Sequence, residues 1–144
     1  MTVEGEGFNC SELMKRITDI FSTQVNKDLE TWDVTLSQMK MLVYLGKAFS
    51  GSAPLKALEK AFGTSQATIA GIALRLEKKG LIQGHADPKD RRVKQVTLSP
   101  QGWALCRNAQ AHMEEEEGKL LAGLSEAERA QLKGMLEKIY YSLR

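Results

Sequence analysis

The sequence predicts a mainly α fold with one small β-hairpin, an α+β arrangement that fits a single domain of 144 residues. Two observations support this class. Over most of the chain, apolar residues recur at intervals of three and four, the spacing of one face of an α-helix. Between residues 81 and 98, a charged turn instead separates two short segments, and the second alternates polar and apolar residues as a β-strand does.

The first third of the chain predicts two helices. One spans about residues 11–29 and carries its apolar residues at helical spacing. The next begins at a capping box, in which Thr35 caps the helix and Gln38 stands at its third position. This second helix ends before residues 50–52, Ser-Gly-Ser, which predict a small, flexible loop.

Residues 54–79 predict two helices joined by a tight turn. Pro54 suits the first position of a short helix, and Gly63 stops it. Ser65 opens the second helix, which has a clean apolar stripe. The stripe consists of Ile69, Ile72, Ala73 and Leu76. A short helix, a turn of three or four residues and a second helix match a helix-turn-helix, and the hairpin that follows it makes a wing.

The end of the chain predicts two more helices. Ser99 and Pro100 start a long helix that runs to about Ala122. A second capping box, formed by Ser125 and Glu128, starts the last helix. Its apolar stripe consists of Leu132, Met135, Leu136, Ile139 and Leu143. Together with the first helix, these two offer more apolar surface than one small lobe can cover, which predicts a dimer.

Composition excludes several classes of protein. The hydrophobic fraction of 42% and the charged fraction of 26% are those of a globular protein. No apolar run approaches the ~20 residues that span a bilayer. Residues 1–10 lack the apolar segment of a signal peptide, so no membrane partner is expected. The two cysteines, Cys10 and Cys106, give no disulfide framework, which indicates a reducing cytoplasm.

The sequence also lacks the parts of an enzyme or a metal site. No nucleophile elbow, phosphate loop or paired carboxylates are visible, so we expect neither an enzyme nor a cofactor. The Cys and His residues show no spacing typical of structural zinc, so we expect no metal. They are Cys10, His85, Cys106 and His112.

Positive charge is concentrated in the middle of the chain. Between Lys56 and Lys94, nine Lys and Arg residues accompany four Asp and Glu residues, a net charge of +5. The whole chain has a net charge of +2, so the remainder carries −3. A basic middle between acidic ends favours a polyanion-binding face, although uneven surface charge alone would also produce it.

The second helix of the helix-turn-helix carries polar side chains of the kinds that contact DNA, although ordinary cap and surface residues would look the same. A helix fits the major groove, where Gln66 can form a bidentate pair with adenine. Arg75 can reach a phosphate or a guanine. Ser65 and Thr68 can donate to phosphates near the helix N-terminus. For Ser65 alone, capping the helix is a sufficient explanation.

The hairpin tip is the second candidate DNA contact. Lys89, Asp90, Arg91 and Arg92 follow the turn signal at residues 87–88. A hairpin beside a recognition helix can lie along the adjacent minor groove, whose negative potential attracts inserted arginines. Asp90 can pair with Arg91 or with Arg92 and fix the tip, in which case one of the two arginines has a structural role.

These segments resemble a known family signature. "LEKKGLI" followed by "DPKDRRVKQVTLSPQG" is similar to the pattern of the MarR family of bacterial and archaeal transcriptional regulators. The helix order agrees over essentially the whole chain. The matching residues are Leu76, Glu77, Gly80, Leu81, Ile82, Asp87, Pro88, Asp90, Arg91, Arg92, Leu98, Ser99 and Gly102.

The resemblance implies a homodimer that binds a pseudo-palindromic operator in double-stranded DNA as a transcriptional regulator, here expected to be a repressor. It implies a winged helix-turn-helix lobe over residues 35–99 and dimerisation helices over residues 8–30 and 100–144. It also implies that Arg92 enters the minor groove while Asp90 braces it. Many members respond to small, often phenolic, ligands or to oxidants.

Two positions depart from the family pattern. Gly84 stands where the family often has an arginine, and Gly71 stands where many members place a polar or basic side chain that contacts a base. These departures motivate an alternative function, a dimeric protein-interaction module of the same fold that has lost operator binding.

The sequence leaves the effector open. Trp32, Met39 and Met113 could line an apolar pocket between the dimer helices and the DNA-binding lobe, which the resemblance associates with a small effector. A second alternative is a redox-sensing regulator, because Cys10 lies at the start of the first helix, and a helix N-terminus lowers a thiol pKa. The simpler hypothesis is an inert thiol. Cys106 lies on an apolar stripe and is expected to be a packing residue.

Overall fold

The computed structural model describes residues 7–48 and 50–144. Its elements confirm the predicted fold class, mainly α with a small antiparallel sheet. They are α1 (Cys10–Trp32), α2 (Leu36–Ala48), β1 (Ser52–Pro54), α3 (Leu55–Phe62), α4 (Gln66–Lys78), β2 (Ile82–Ala86), β3 (Lys94–Leu98), α5 (Pro100–Leu120) and α6 (Glu126–Ser142).

The chain divides into two compact units, Met1–Asn108 and Ala109–Arg144, with the boundary inside α5. The first unit holds α1–α4, the sheet and the start of α5, and the second holds the rest of α5 and α6. The predicted separation of a DNA-binding lobe over residues 35–99 from dimerisation helices over residues 8–30 and 100–144 stays a prediction.

Both predicted capping boxes are present. The N–H of Gln38 donates to Thr35 Oγ1 at 3.2 Å, and the N–H of Thr35 donates to Gln38 Oε1 at 3.1 Å. Ser125 and Glu128 exchange the same pair of bonds at the start of α6. Each box satisfies two backbone donors that the helix itself leaves unpaired, which explains why these helices begin where they do.

The prediction for residues 50–54, a flexible loop followed by a helix that begins at Pro54, was partly wrong. Residues Ser52–Pro54 form β1, which pairs with β3 and makes the hairpin a three-stranded sheet of order β1-β3-β2. Ala53, 1% exposed, faces Val96 across this pair. Pro54 ends the strand and caps α3, so that helix begins one residue later than expected. A proline is tolerated here because β1 is an edge strand.

The core of the first unit lies between α2, α4 and the sheet. Three side chains from α2 and two from α4 are fully buried together with residues of α3 and of the strands. These are Met41, Leu42, Leu45, Leu58, Ile69, Leu76, Ile82 and Val96. The predicted inward stripe of α4 is therefore confirmed, and its burial fixes which side of α4 faces outward.

Ser99 joins the residues just after α4 to the start of α5. Its hydroxyl donates to the carbonyl of Gly80 at 2.5 Å and accepts from the N–H of Gly102 at 3.0 Å, and the residue is 3% exposed. A Cβ on Gly102 would lie 2.0 Å from the carbonyl oxygen of Leu81. This close approach explains why a serine and a glycine stand three residues apart in "LSPQG".

The second unit holds few buried side chains. Arg129 ties the turn between its helices, since its Nε donates to the carbonyls of Leu121 at 3.2 Å and Leu124 at 3.3 Å. No residue of α6 is buried. Separately, within residues 7–48 and 50–144 no helix combines the length and apolarity that crossing a membrane requires.

Candidate nucleic-acid interface

The recognition helix α4 begins at a polar cap. The Ser65 hydroxyl accepts from the N–H of Thr68 at 3.2 Å and is hydrogen-bonded to the Thr68 hydroxyl at 2.9 Å. Ser65 is therefore the N-cap of α4, the role that the sequence analysis gave as a sufficient explanation for this residue. Both residues are exposed at the positive end of the helix dipole. Each hydroxyl can still accept or donate a further bond to a phosphate there.

Contacts on three sides of α4 identify its free side. The buried stripe faces the core. Toward the wing, the Glu77 carboxylate accepts from the N–H of Gly84 in β2 at 3.2 Å. On the opposite flank, the Lys79 ammonium just after the helix donates to the carbonyl of Asp33 and to Gln38 Oε1. Side chains on the fourth side project into solvent, where a groove of DNA can be accommodated.

Three of the predicted base and phosphate contacts flank this free side. Gln66, Thr68 and Arg75 are all exposed. The Arg75 guanidinium folds back along the helix, since its Nη1 lies 3.8 Å from the position that a Cβ on Gly71 would take. The Arg75 guanidinium therefore lies beside Gly71, one turn before it on the helix.

Gly84, the other departure from the family pattern, has a packing role. A Cβ there would lie 2.9 Å from Lys94 Cε and 3.2–3.3 Å from the two Glu77 carboxylate oxygens. A larger side chain would displace Glu77 from the N–H of residue 84. The glycine allows this direct bond, which links the recognition helix to the base of the wing.

Asp87 closes the turn of the wing. Its carboxylate accepts from the N–H of Lys89 at 2.8 Å and from the Gln95 side-chain amide at 2.9 Å, while its own N–H donates to the carbonyl of Val93 at 2.9 Å. The Lys89 N–H and then the Gln95 amide lower the pKa of Asp87 from its ordinary value. Sequence analysis identified only a turn signal here and missed this role.

Asp90 braces Arg92 and not Arg91. The Arg92 side chain donates from Nε to Asp90 Oδ1 at 3.1 Å and from Nη2 to Oδ2 at 3.4 Å. The Arg92 N–H donates to the same Oδ1 at 3.1 Å. Even so, the Arg92 side chain is 92% exposed, so the guanidinium is oriented but remains available to a ligand.

The wing presents more positive than negative charge to solvent. Lys89, Arg91, Arg92 and Lys94 are exposed, whereas the carboxylates of Asp87 and Asp90 accept backbone and side-chain hydrogen bonds within the hairpin. These exposed cations, with Arg75 on α4, give the first unit positive charge that suits a polyanion.

The residues proposed for an effector fall in both units. Trp32 is half-buried at the end of α1, and Met39 of α2 is 6% exposed. Met113, in the second unit, is 53% exposed. An effector pocket that includes these three side chains stays a prediction.

The two cysteines differ in their surroundings. Cys10 is the exposed first residue of α1. Cys106 packs against the core of the first unit, and its thiol donates to the carbonyl of Leu42 at 3.3 Å. Burial raises the pKa of Cys106, which keeps it a thiol. Over the described ranges, no three His, Cys, Asp or Glu residues come together as a group that could hold a metal ion.

Comparison with known proteins identifies the family of this fold. The MarR family model matches residues 34–94. The chain is 30% identical to a point mutant of S. aureus MepR, covering 95% of this chain and 100% of that one, with a TM-score of 0.80. It is 28% identical to MepR in an S. aureus MepR–DNA complex, covering 96% and 99%, with a TM-score of 0.75.

Two further relatives agree with this. A probable transcriptional regulator from Pseudomonas aeruginosa is 31% identical, covering 91% of this chain and 96% of that one, with a TM-score of 0.70. A Thauera aromatica protein, named as a putative transcriptional regulatory protein for the hcr operon, is 38% identical over 85 residues. These residues make up 58% of this chain and about half of the length of that protein. The chain belongs to the MarR family of transcriptional regulators.

Proposed function

We propose that the chain is a sequence-specific DNA-binding repressor that acts as a homodimer on a pseudo-palindromic operator. The observation that carries this proposal is the wing tip. There Asp90 orients the Arg92 guanidinium while leaving it 92% exposed. An arginine held in this way loses little conformational freedom on binding, so insertion into a narrow minor groove costs less.

The recognition helix is placed to bind at the same time. The Glu77–Gly84 bond links the wing to α4, so we expect the two elements to approach DNA together. We propose that α4 enters the major groove with Gln66, Thr68 and Arg75, while Lys89, Arg91 and Arg92 contact the backbone and the adjacent minor groove. Ser65 adds a phosphate contact at the helix N-terminus.

Homodimer formation is proposed from the apolar side chains that each unit leaves exposed. On α1, Leu13, Ile17 and Ile20 are 42%, 47% and 75% exposed. On α6, Leu136 and Ile139 are 44% and 43% exposed. Several exposed apolar side chains on one side of a helix are typical of interaction surfaces, and a second copy of the chain would present the same side chains.

A small effector, of the phenolic kind that many family members bind, is proposed to release the operator. Trp32, Met39 and Met113 are the proposed contacts. Quenching of tryptophan fluorescence by a phenolic compound, lost in Trp32→Phe, would support this effector site.

We place the site of action in the cytoplasm, where bacterial and archaeal operator DNA lies, and we assign the chain no catalytic activity.

The test is a mobility-shift titration with the promoter region next to the chain's own gene. We expect binding at least about a thousandfold tighter than to a scrambled duplex, and an affinity that falls steeply with salt. Equal, weak binding to both duplexes would instead favour the protein-interaction module. In a reporter strain, deletion of the gene is expected to raise transcription from that promoter.

A further inference from the structure

The side of the recognition helix that faces solvent carries an apolar side chain at its centre. Residues on this side are Ala67, Gly71, Leu74 and Lys78, spaced by four, three and four as on one face of an α-helix. They lie opposite the buried stripe and between the flank that bonds β2 and the flank that bonds residues 33 and 38. If α4 enters the major groove, this side meets the base edges.

Leu74 is the large apolar group on this side. Its side chain is 51% exposed. The other leucines of α3 and α4, by contrast, lie in the core of the first unit or pack against it. Its neighbours toward the N-terminus are small, since Ala70 and Gly71 precede it by one turn. Leu74 therefore projects beyond the helix surface around it.

Positive charge next to Leu74 argues for DNA as the group that covers it. Arg75 and Lys78 are exposed on the same turn of α4 and can neutralise phosphates on either side of a groove. A protein partner with an apolar groove would have to bury these cations or match them with carboxylates. A DNA groove offers phosphates at its rim and base edges at its floor.

The base edges of the major groove display one apolar group, the C5 methyl of thymine. We propose that Leu74 recognises a thymine methyl group in each half-site, so that the operator carries thymine where α4 crosses the groove. This inference rests on the proposed function. It adds a specificity contact that depends on no hydrogen bond and is independent of Gln66.

The experiment removes only the methyl group. Duplexes that bind the parent protein are first selected from a random-sequence pool, and each thymine of the selected half-site is then replaced by uracil. Uracil keeps every hydrogen-bonding group of thymine. We expect one or two positions in each half-site at which affinity falls about fourfold per methyl lost, the effect of exposing one buried methyl group.

Leu74→Ala is expected to bind the thymine and uracil duplexes equally at those positions. Leu36→Ala is the matched control, because Leu36 is 50% exposed but lies at the start of α2. This control should keep the full preference for thymine. Melting temperatures of both variants should match that of the parent, since both side chains are exposed.

Two results would overturn the inference, and they differ in meaning. If the parent binds selected duplexes but no uracil position lowers affinity, or if Leu74→Ala keeps the preference for thymine, Leu74 contacts no methyl group while the proposed function stands. If no duplex is selected at all, the proposed function fails together with this inference.

Discussion

The wing and the last helix leave very different groups exposed. In the wing, Asp87 and Asp90 are hydrogen-bonded to residues within the same hairpin, and the Lys and Arg side chains of its tip are exposed. In α6, no residue is buried and large apolar side chains face solvent. The wing thus satisfies its carboxylates internally and leaves positive charge exposed, whereas α6 leaves apolar side chains exposed, which we propose a second copy covers. The first feature is suited to DNA and the second to another protein surface.

The largest expected effect comes from placing a charge on the apolar side of α6. Leu136→Asp or Ile139→Asp should give monomeric or insoluble protein, because a dimer interface would have to bury an unpaired carboxylate at a cost of several kcal/mol. Light scattering measures the molar mass in solution. Ala130→Asp, on the opposite side of the same helix, is the control and should leave the mass unchanged. Soluble dimers from both apolar-side variants would contradict the proposed interface.

A change within the first unit should affect folding instead of assembly. Gly102→Ala places a Cβ 2.0 Å from the Leu81 carbonyl oxygen, so backbone must move. We expect a loss of about 2–4 kcal/mol in the free energy of unfolding. Gly118→Ala is the control on the same helix, because a Cβ there meets no atom within 4 Å. It should be neutral or stabilise by up to about 1 kcal/mol. Denaturant unfolding of both variants measures the difference, and equal stabilities would be inconsistent with the close approach.

A smaller effect is expected for a single base contact. Gln66→Ala should relax base preference at one position in each half-site and cost about 1–3 kcal/mol per half-site. Affinities for a panel of single-base operator variants measure this preference. An unchanged ranking of the panel would mean that Gln66 contacts no base edge.

The smallest effect is expected at Cys10. Cys10→Ser should bind the operator as tightly as the parent, because the thiol is exposed at the start of α1, away from α4 and the wing along the chain. Affinity with and without peroxide is compared for both proteins. A peroxide response that the parent shows and the variant lacks would favour the redox-sensing alternative.

Local chemistry explains which features the sequence predicted. The capping boxes at Thr35 and Ser125 are set by residues three positions apart, so both were predicted correctly. Strand β1 was missed because it has three residues and exists only through pairing with β3, more than 40 residues later. A short strand of this kind has no periodic pattern of its own.

The candidate site shows the same limit. Its cations and Asp90 were identified from the motif. The residues by themselves left open which arginine Asp90 holds, since both are within reach, and only the family resemblance implied Arg92. The geometry of the turn selects Arg92. The bond between Glu77 and Gly84 joins a helix to a strand, so the packing reason for a glycine at position 84 became visible only in three dimensions.

The salt dependence of operator binding in two wing variants tests the central claim most directly. If Arg92 enters a minor groove in each subunit, Arg92→Ala should weaken binding. The slope of log affinity against log salt should also become shallower by up to about two units per dimer, since roughly one counterion is released per neutralised phosphate. Arg91→Ala should have the smaller effect, and neither variant should change the melting temperature. A larger effect of Arg91→Ala would reverse the two roles, and unchanged binding by both variants would show that the wing does not contact DNA.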